Sequence, residues 1–138
     1  MELRVVAADL SYDDPTAVTL MVTPQATALR PLTPVHLRAR REEAGISLSW
    51  IRRTRRDGDS WAAIDVPLGE DVEAYAADIL SGSEIIRSLS ATEPSVLYPA
   101  ADEITDFGAP LANLMVRIAQ VSAVAGNGFA AQTDLPIL

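Results

Sequence analysis

The sequence predicts an all-β sandwich, and three features carry that prediction. Short apolar runs recur along the chain, proline and glycine break them roughly every ten residues, and the clearest run alternates strictly. That run is Ile46-Ser47-Leu48-Ser49-Trp50, with Ile46, Leu48 and Trp50 on one face and the serines on the other. Successive side chains of a strand point to opposite faces, so a period of two marks a strand with one dry side. Apolar residues make up 49% of the 138, enough for one packed core.

Taken in order, Leu3 to Leu10 is an apolar run closed by the turn-forming Ser11-Tyr12-Asp13-Asp14-Pro15. Ala17 to Thr23, rich in β-branched residues, reads as its partner strand, stopped by Pro24. Two strands alone bury almost nothing, so this hairpin must pack on another surface. Pro31 and Pro34 bracket a stiff connector and set a boundary between an arm, 1–31, and a sandwich, 32–138. Within the sandwich, Val35, Leu37 and Ala39 alternate with His36, Arg38 and Arg40. Tyr75, Ala77 and Ile79 share one face of a later strand, and Glu84 to Leu89 returns from the Ser81-Gly82-Ser83 turn. Ser95 to Tyr98 and the alternating Leu114, Val116 and Ile118 complete the series. Helix remains the alternative over Gly69 to Leu80 and over Ala100 to Phe107, where alanine and acids are common.

Composition removes several function classes. There is no cysteine, hence no disulfide, thiol nucleophile or cysteine-based zinc site. A formal charge of −8 opposes binding to nucleic acid. No apolar run is long enough to insert in a membrane. The start, Met1-Glu2-Leu3-Arg4, lacks the marks of a secretory signal, so synthesis in the cytoplasm is expected. All of the positive charge is arginine.

Ile46 to Trp50 resembles the second strand of a fibronectin type III domain, an immunoglobulin-like sandwich of about seven strands whose tryptophan sits in the core. Tyr75 to Ile79 resembles the third strand. Val116 to Ser122, followed by Gly126-Asn127-Gly128, resembles the sixth strand and the turn into the seventh. The resemblance implies a structural core that includes Trp50, Tyr75, Ile79, Val116 and Ile118. Leu114 stands where the family usually has tyrosine, and the connection from Arg52 to Glu73 is unusually long.

A narrower likeness also exists. Leu29 to Ala39, Ser49 to Arg55, Gly58 to Trp61, Val66 to Glu70 and Val116 to Gln120 are similar to the C-terminal region of a large tail-tip protein. That protein is the hub, or host-specificity, protein of gene transfer agents and related alphaproteobacterial siphophages. The similarity implies a virion tail component, with other hub proteins as partners in a homo- or hetero-oligomeric, for example trimeric, assembly. The arm then looks like the last strands of a preceding domain.

Candidate chemical sites are few. His36 is the only histidine, too little for a zinc site or a histidine-based triad, and it should face outward. Arg52, Arg53, Arg55 and Arg56 form a basic run, with Arg38, Arg40 and Arg41 on a neighbouring strand. The simplest reading is a solvated face offset by Glu42, Glu43, Asp57 and Asp59. The sharper readings are a subunit contact or a site for an anionic cell-surface polysaccharide. Asp57-Gly58-Asp59-Ser60 is a turn signal rather than a calcium loop, because Leu68 occupies the place of the liganding glutamate. Trp61, in the long connection, is either a lid on the sandwich or an exposed platform for a glycan or protein. Asp65, Glu70, Asp71, Glu73, Asp102, Glu103 and Asp106 show no spacing that suits a glycosidase, and neither a phosphate loop nor a nucleophile elbow is present. The expectation is a non-enzymatic tail-tip module without cofactor or metal, with a receptor- or glycan-binding module as the rival.

Overall fold

The computed structural model describes residues 2–23, 27–55 and 67–138. Two antiparallel sheets face each other across the core. One has the order β3 (Val35–Glu42), β4 (Gly45–Ile51), β7 (Ser95–Pro99). The other runs β10 (Ala131–Pro136), β8 (Asn113–Ser122), β5 (Tyr75–Ser81), β6 (Glu84–Ala91), with the short β9 (Gly126–Asn127) also on β8. Strands β1 (Glu2–Val5) and β2 (Val18–Met21) form a separate hairpin. Both are shorter than the runs that foretold them.

The alternating residues meet where their period places them. Ile46, Leu48 and Trp50 of β4 oppose Tyr75, Ala77 and Ile79 of β5 and Leu114, Val116 and Ile118 of β8, all buried. Trp50 and Tyr75 touch edge to face, 5.1 Å between ring centres. Such aromatic contacts add roughly 0.5–1.5 kcal/mol beyond the area they bury. Leu114, at the family's usual tyrosine position, is fully buried.

The main departure from a pure β chain is α1 (Ala100–Phe107), between β7 and β8. Of the two stretches where helix competed, this one is helical, whereas strand begins at Tyr75 in the other. No side chain caps the helix at Pro99, and at eight residues it is too short to persist alone. Its acids supply the missing support. Arg41 of β3 holds the buried Glu103 with two bonds, Nη1 to Oε2 at 2.5 Å and Nη2 to Oε1 at 3.1 Å. Glu103 also accepts the Leu111 amide at 2.7 Å. Arg87 of β6 grips Asp106 through Nε and Nη2 at 2.7 and 2.9 Å, and the Tyr98 hydroxyl donates to the same carboxylate at 2.8 Å. One helix is thus fastened to both sheets.

Gly45, at the β3–β4 turn, is there for space. A Cβ at this position would stand 2.2 Å from the Tyr98 carbonyl oxygen and 2.7 Å from the Ala100 nitrogen. The Ala44 carbonyl accepts the Ala100 amide at 3.0 Å, so this close approach also fixes the start of α1.

Candidate assembly interface

The hairpin is amphipathic and bare. Its register sets Leu3 opposite Leu20 and Val5 opposite Val18, which places these four side chains on one face. Glu2, Arg4, Thr19 and Met21 take the other. A face of this kind normally lies on a core, yet the four are 40–56% exposed. Every residue of both strands is exposed. Among the described residues the hairpin is supported by its own pairing, by the Arg4 guanidinium 5.5 Å from the centre of the Tyr12 ring, and by ordered turns in the connecting loop, including Leu10 N to Ala7 O and Asp14 N to Ser11 O.

Its base, in contrast, is gripped. The turn Thr27–Leu29 leads into Arg30, which donates Nε to the Asn127 carbonyl at 3.0 Å and Nη2 to the Gly128 carbonyl at 2.9 Å. The same guanidinium lies over the Phe129 ring at 4.5 Å from its centre. The Phe129 amide donates to the Pro31 carbonyl at 3.0 Å. Gly128 permits this, since a Cβ there would come within 2.7 Å of that carbonyl oxygen and 2.9 Å of the Gln120 oxygen. The connector is therefore packed on the sandwich at Arg30 and Pro31, right at the proline pair that marks the boundary in the sequence.

Two of the four arginines of the run, Arg52 and Arg55, are engaged inside the chain. Arg52 pairs with Glu73 at 3.1 Å, and Glu73 in turn accepts the Tyr75 hydroxyl at 2.7 Å. Burial first, and then this hydrogen bond, push the Tyr75 phenol upward, so it stays neutral. Arg55 pairs with Glu70 at 2.8 Å and donates to the Ala28 carbonyl at 2.6 Å, a further tie to the arm's base. Arg53 is exposed. Arg56, Trp61 and the Asp57-Gly58-Asp59-Ser60 turn lie outside the described residues.

Arg38, Arg40 and Arg41 lie on the neighbouring strand β3, with Arg41 remote from the Arg52 run. Arg41 pairs in register with Ile46 at one end of β4, while the Arg52 run leaves the other end after Ile51, about 17 Å away at strand rise. Its charge is also consumed by Glu103, which the arginine's hydrogen bonds hold below the usual carboxylate range despite burial. Arg38 and Arg40 are exposed on β3. His36 is exposed at a bulge in β3, with φ at 54°. No cluster of metal-ligating side chains exists among the described residues.

Sequence reasoning located the hairpin strands but not their bare face, because the connecting loop hid the register. It gave Arg30 no role, and nothing local signals one. Its acceptors lie 97 and 98 residues away.

No protein-family model matches the chain, and no curated protein matches it in sequence. Solved structures do. The rat CD45 extracellular region, domains d3-d4, is similar at a TM-score of 0.50 and 8% identity, over 99% of this chain and 63% of that one. The chain thus spans under two thirds of that structure. The FN5 domain of Drosophila Lar gives a TM-score of 0.40 at 12% identity, over 78% of this chain and 96% of that domain. At such identities the likeness concerns the fold alone, and the fold is a fibronectin type III-like β-sandwich carrying an N-terminal hairpin.

Proposed function

We propose that the chain is a non-enzymatic structural module of a phage or gene-transfer-agent tail tip, and that its hairpin docks on a neighbouring hub polypeptide. The observation that carries the docking is the exposed apolar face of Leu3, Val5, Val18 and Leu20. A two-stranded ribbon gains stability when a third layer covers it, and an added sheet is a common way for one chain to grip another. The Arg30 contacts support the same reading, because they anchor the chain to the sandwich shortly after the hairpin. The tail-tip assignment rests on the sequence likeness of Leu29 to Ala39 and the segments that follow it. The fold is compatible with that role and does not select it.

The rival, attachment to a host receptor or glycan through Trp61 and Arg52 to Arg56, has less support. Arg52 and Arg55 are engaged by Glu73 and Glu70, which lowers their value to an outside anion.

The test is a double substitution, Leu3→Asp with Leu20→Asp, in the intact particle. The isolated variant should melt within a few degrees of the parent, while its incorporation into tails should fall severely. Normal incorporation of the variant argues against docking. Imaging that places the chain on the capsid instead of the tail tip removes the assignment altogether.

A further inference from the structure

The outer face of the β5–β8 sheet carries a concavity of about 260 Å³, apart from both the hairpin face and the arginine run. Its floor includes Ala76 and Ala119, register partners on β5 and β8. Arg117 with Asp78, the register pair two positions along, lines it as well, and Arg30 with Phe129 lines it from the other side. The space suits one sugar-sized ring, and its walls are polar while its floor is methyl groups.

Both guanidiniums are fixed in advance. Arg30 is held by two backbone carbonyls and by stacking on Phe129. Arg117 donates Nε and Nη2 to Asp78 Oδ2 at 3.1 and 2.7 Å, and Ser88 Oγ donates to the other carboxylate oxygen at 2.6 Å. A guanidinium has five N–H donors. Each arginine therefore keeps its Nη1 hydrogens without an acceptor among the described residues. The Asp78 charge is already answered by Arg117, which leaves Arg30 as surplus positive charge at the concavity. Donors that are ordered before binding do not lose rotamer freedom on binding, so they favour an anion more than free surface arginines do.

We propose that this concavity binds an acidic sugar. The ring lies on the Ala76 and Ala119 methyls, the sugar's carboxylate takes the unspent guanidinium donors, and the exposed Asn127 amide meets a hydroxyl. A rigid ring with an apolar C–H face, bearing both a carboxylate and hydroxyls, matches a methyl floor with charged and amide walls better than the flexible side chain of an acidic peptide does. This binding does not depend on the tail role, and either can fail alone.

The experiment is a backbone-amide NMR titration of the full chain with glucuronate, glucose and N-acetylglutamate, each taken to about 50 mM, since single-sugar sites of this size bind weakly. Glucuronate should shift the amides of Ala76, Ala119 and Asn127 to Ala130 saturably, with glucose at least tenfold weaker. Arg117→Gln and Ala119→Leu should each weaken glucuronate at least tenfold while the chain stays folded. Ala76→Leu serves if Ala119→Leu does not fold. The proposal is overturned by absence of saturable shifts, by equal binding of glucose, by equal or tighter binding of N-acetylglutamate, or by undiminished binding in the folded variants.

Discussion

Arg41 and Glu103, 62 residues apart in sequence, close a two-bond ion pair that fastens α1 to the β3 strand. Glu103 is fully buried, whereas the Arg41 side chain remains 37% exposed. The two partners therefore respond differently to loss of the other. Arg41 can return to water, but the Leu111 amide that shares Glu103 cannot easily do so.

Replacing Glu103 with alanine should destabilise the fold by about 1–3 kcal/mol, the cost of leaving the part-buried Leu111 amide without its acceptor. Glu103→Gln should cost less, because an amide oxygen can still accept from Leu111. Urea denaturation of the two variants checks the order, and an alanine variant as stable as the parent contradicts the role given to this carboxylate.

Acid should weaken the same attachment. The hydrogen bonds from Arg41 lower the Glu103 carboxyl from its ordinary 4.5, and those from Arg87 lower Asp106 from its ordinary 3.8. Groups lowered in the folded chain contribute stability above their unfolded values, and that contribution disappears as pH falls through the folded ones. Stability should thus be level above about pH 5 and decline below it. Glu103→Gln should flatten part of that decline. A parent and variant with identical acid profiles would show that Glu103 is not responsible.

Gly128→Ala should destabilise by about 1–3 kcal/mol, as overpacking does when the obstructing atoms are backbone. It should also speed hydrogen exchange of the Phe129 amide, since the new methyl pushes on the Pro31 carbonyl that this amide donates to. Gly82→Ala is the comparison. Nothing lies within 4 Å there, so its cost comes only from a backbone φ of 61°, and exchange of the Phe129 amide should not change.

Trp50→Ala should cost about 3–5 kcal/mol, as large-to-small changes in cores do. Tyr75→Phe should cost about 1 kcal/mol, the value of one hydrogen bond, by releasing Glu73. Equal losses from the two would mean that the hydroxyl matters as much as the packing of the rings.

The core was legible because it is written at period two. Ile46, Leu48 and Trp50 declare their inward face without knowledge of any other residue, and Val116 and Ile118 do the same. Helix α1 was only half legible. Its composition permits helix, but its stability comes from Arg41 and Arg87, on strands that nothing near Ala100 identifies. The arginine run illustrates the converse. Four cations in five positions look like a surface for an anion, yet Glu70 and Glu73, across the long connection, had already claimed Arg55 and Arg52. The bare hairpin face lies between these cases. Its residues alternate visibly, but which of them stand together follows only from the pairing of Glu2 with Met21.

The Arg30 grip also sets the route by which a mechanical load enters the domain. A pull on the hairpin reaches the Asn127–Gly128 backbone, beside β8 in the interior of its sheet, before it reaches Val35 at the start of an edge strand. Tension delivered to an edge strand alone unzips its ladder one rung at a time, whereas here the two Arg30 bonds take up part of the load before β3 is reached. Single-molecule pulling from the hairpin should accordingly find a lower rupture force in Arg30→Ala than in the parent. A hairpin rooted in this way passes part of any pull to Asn127 and Gly128 instead of loading β3 alone.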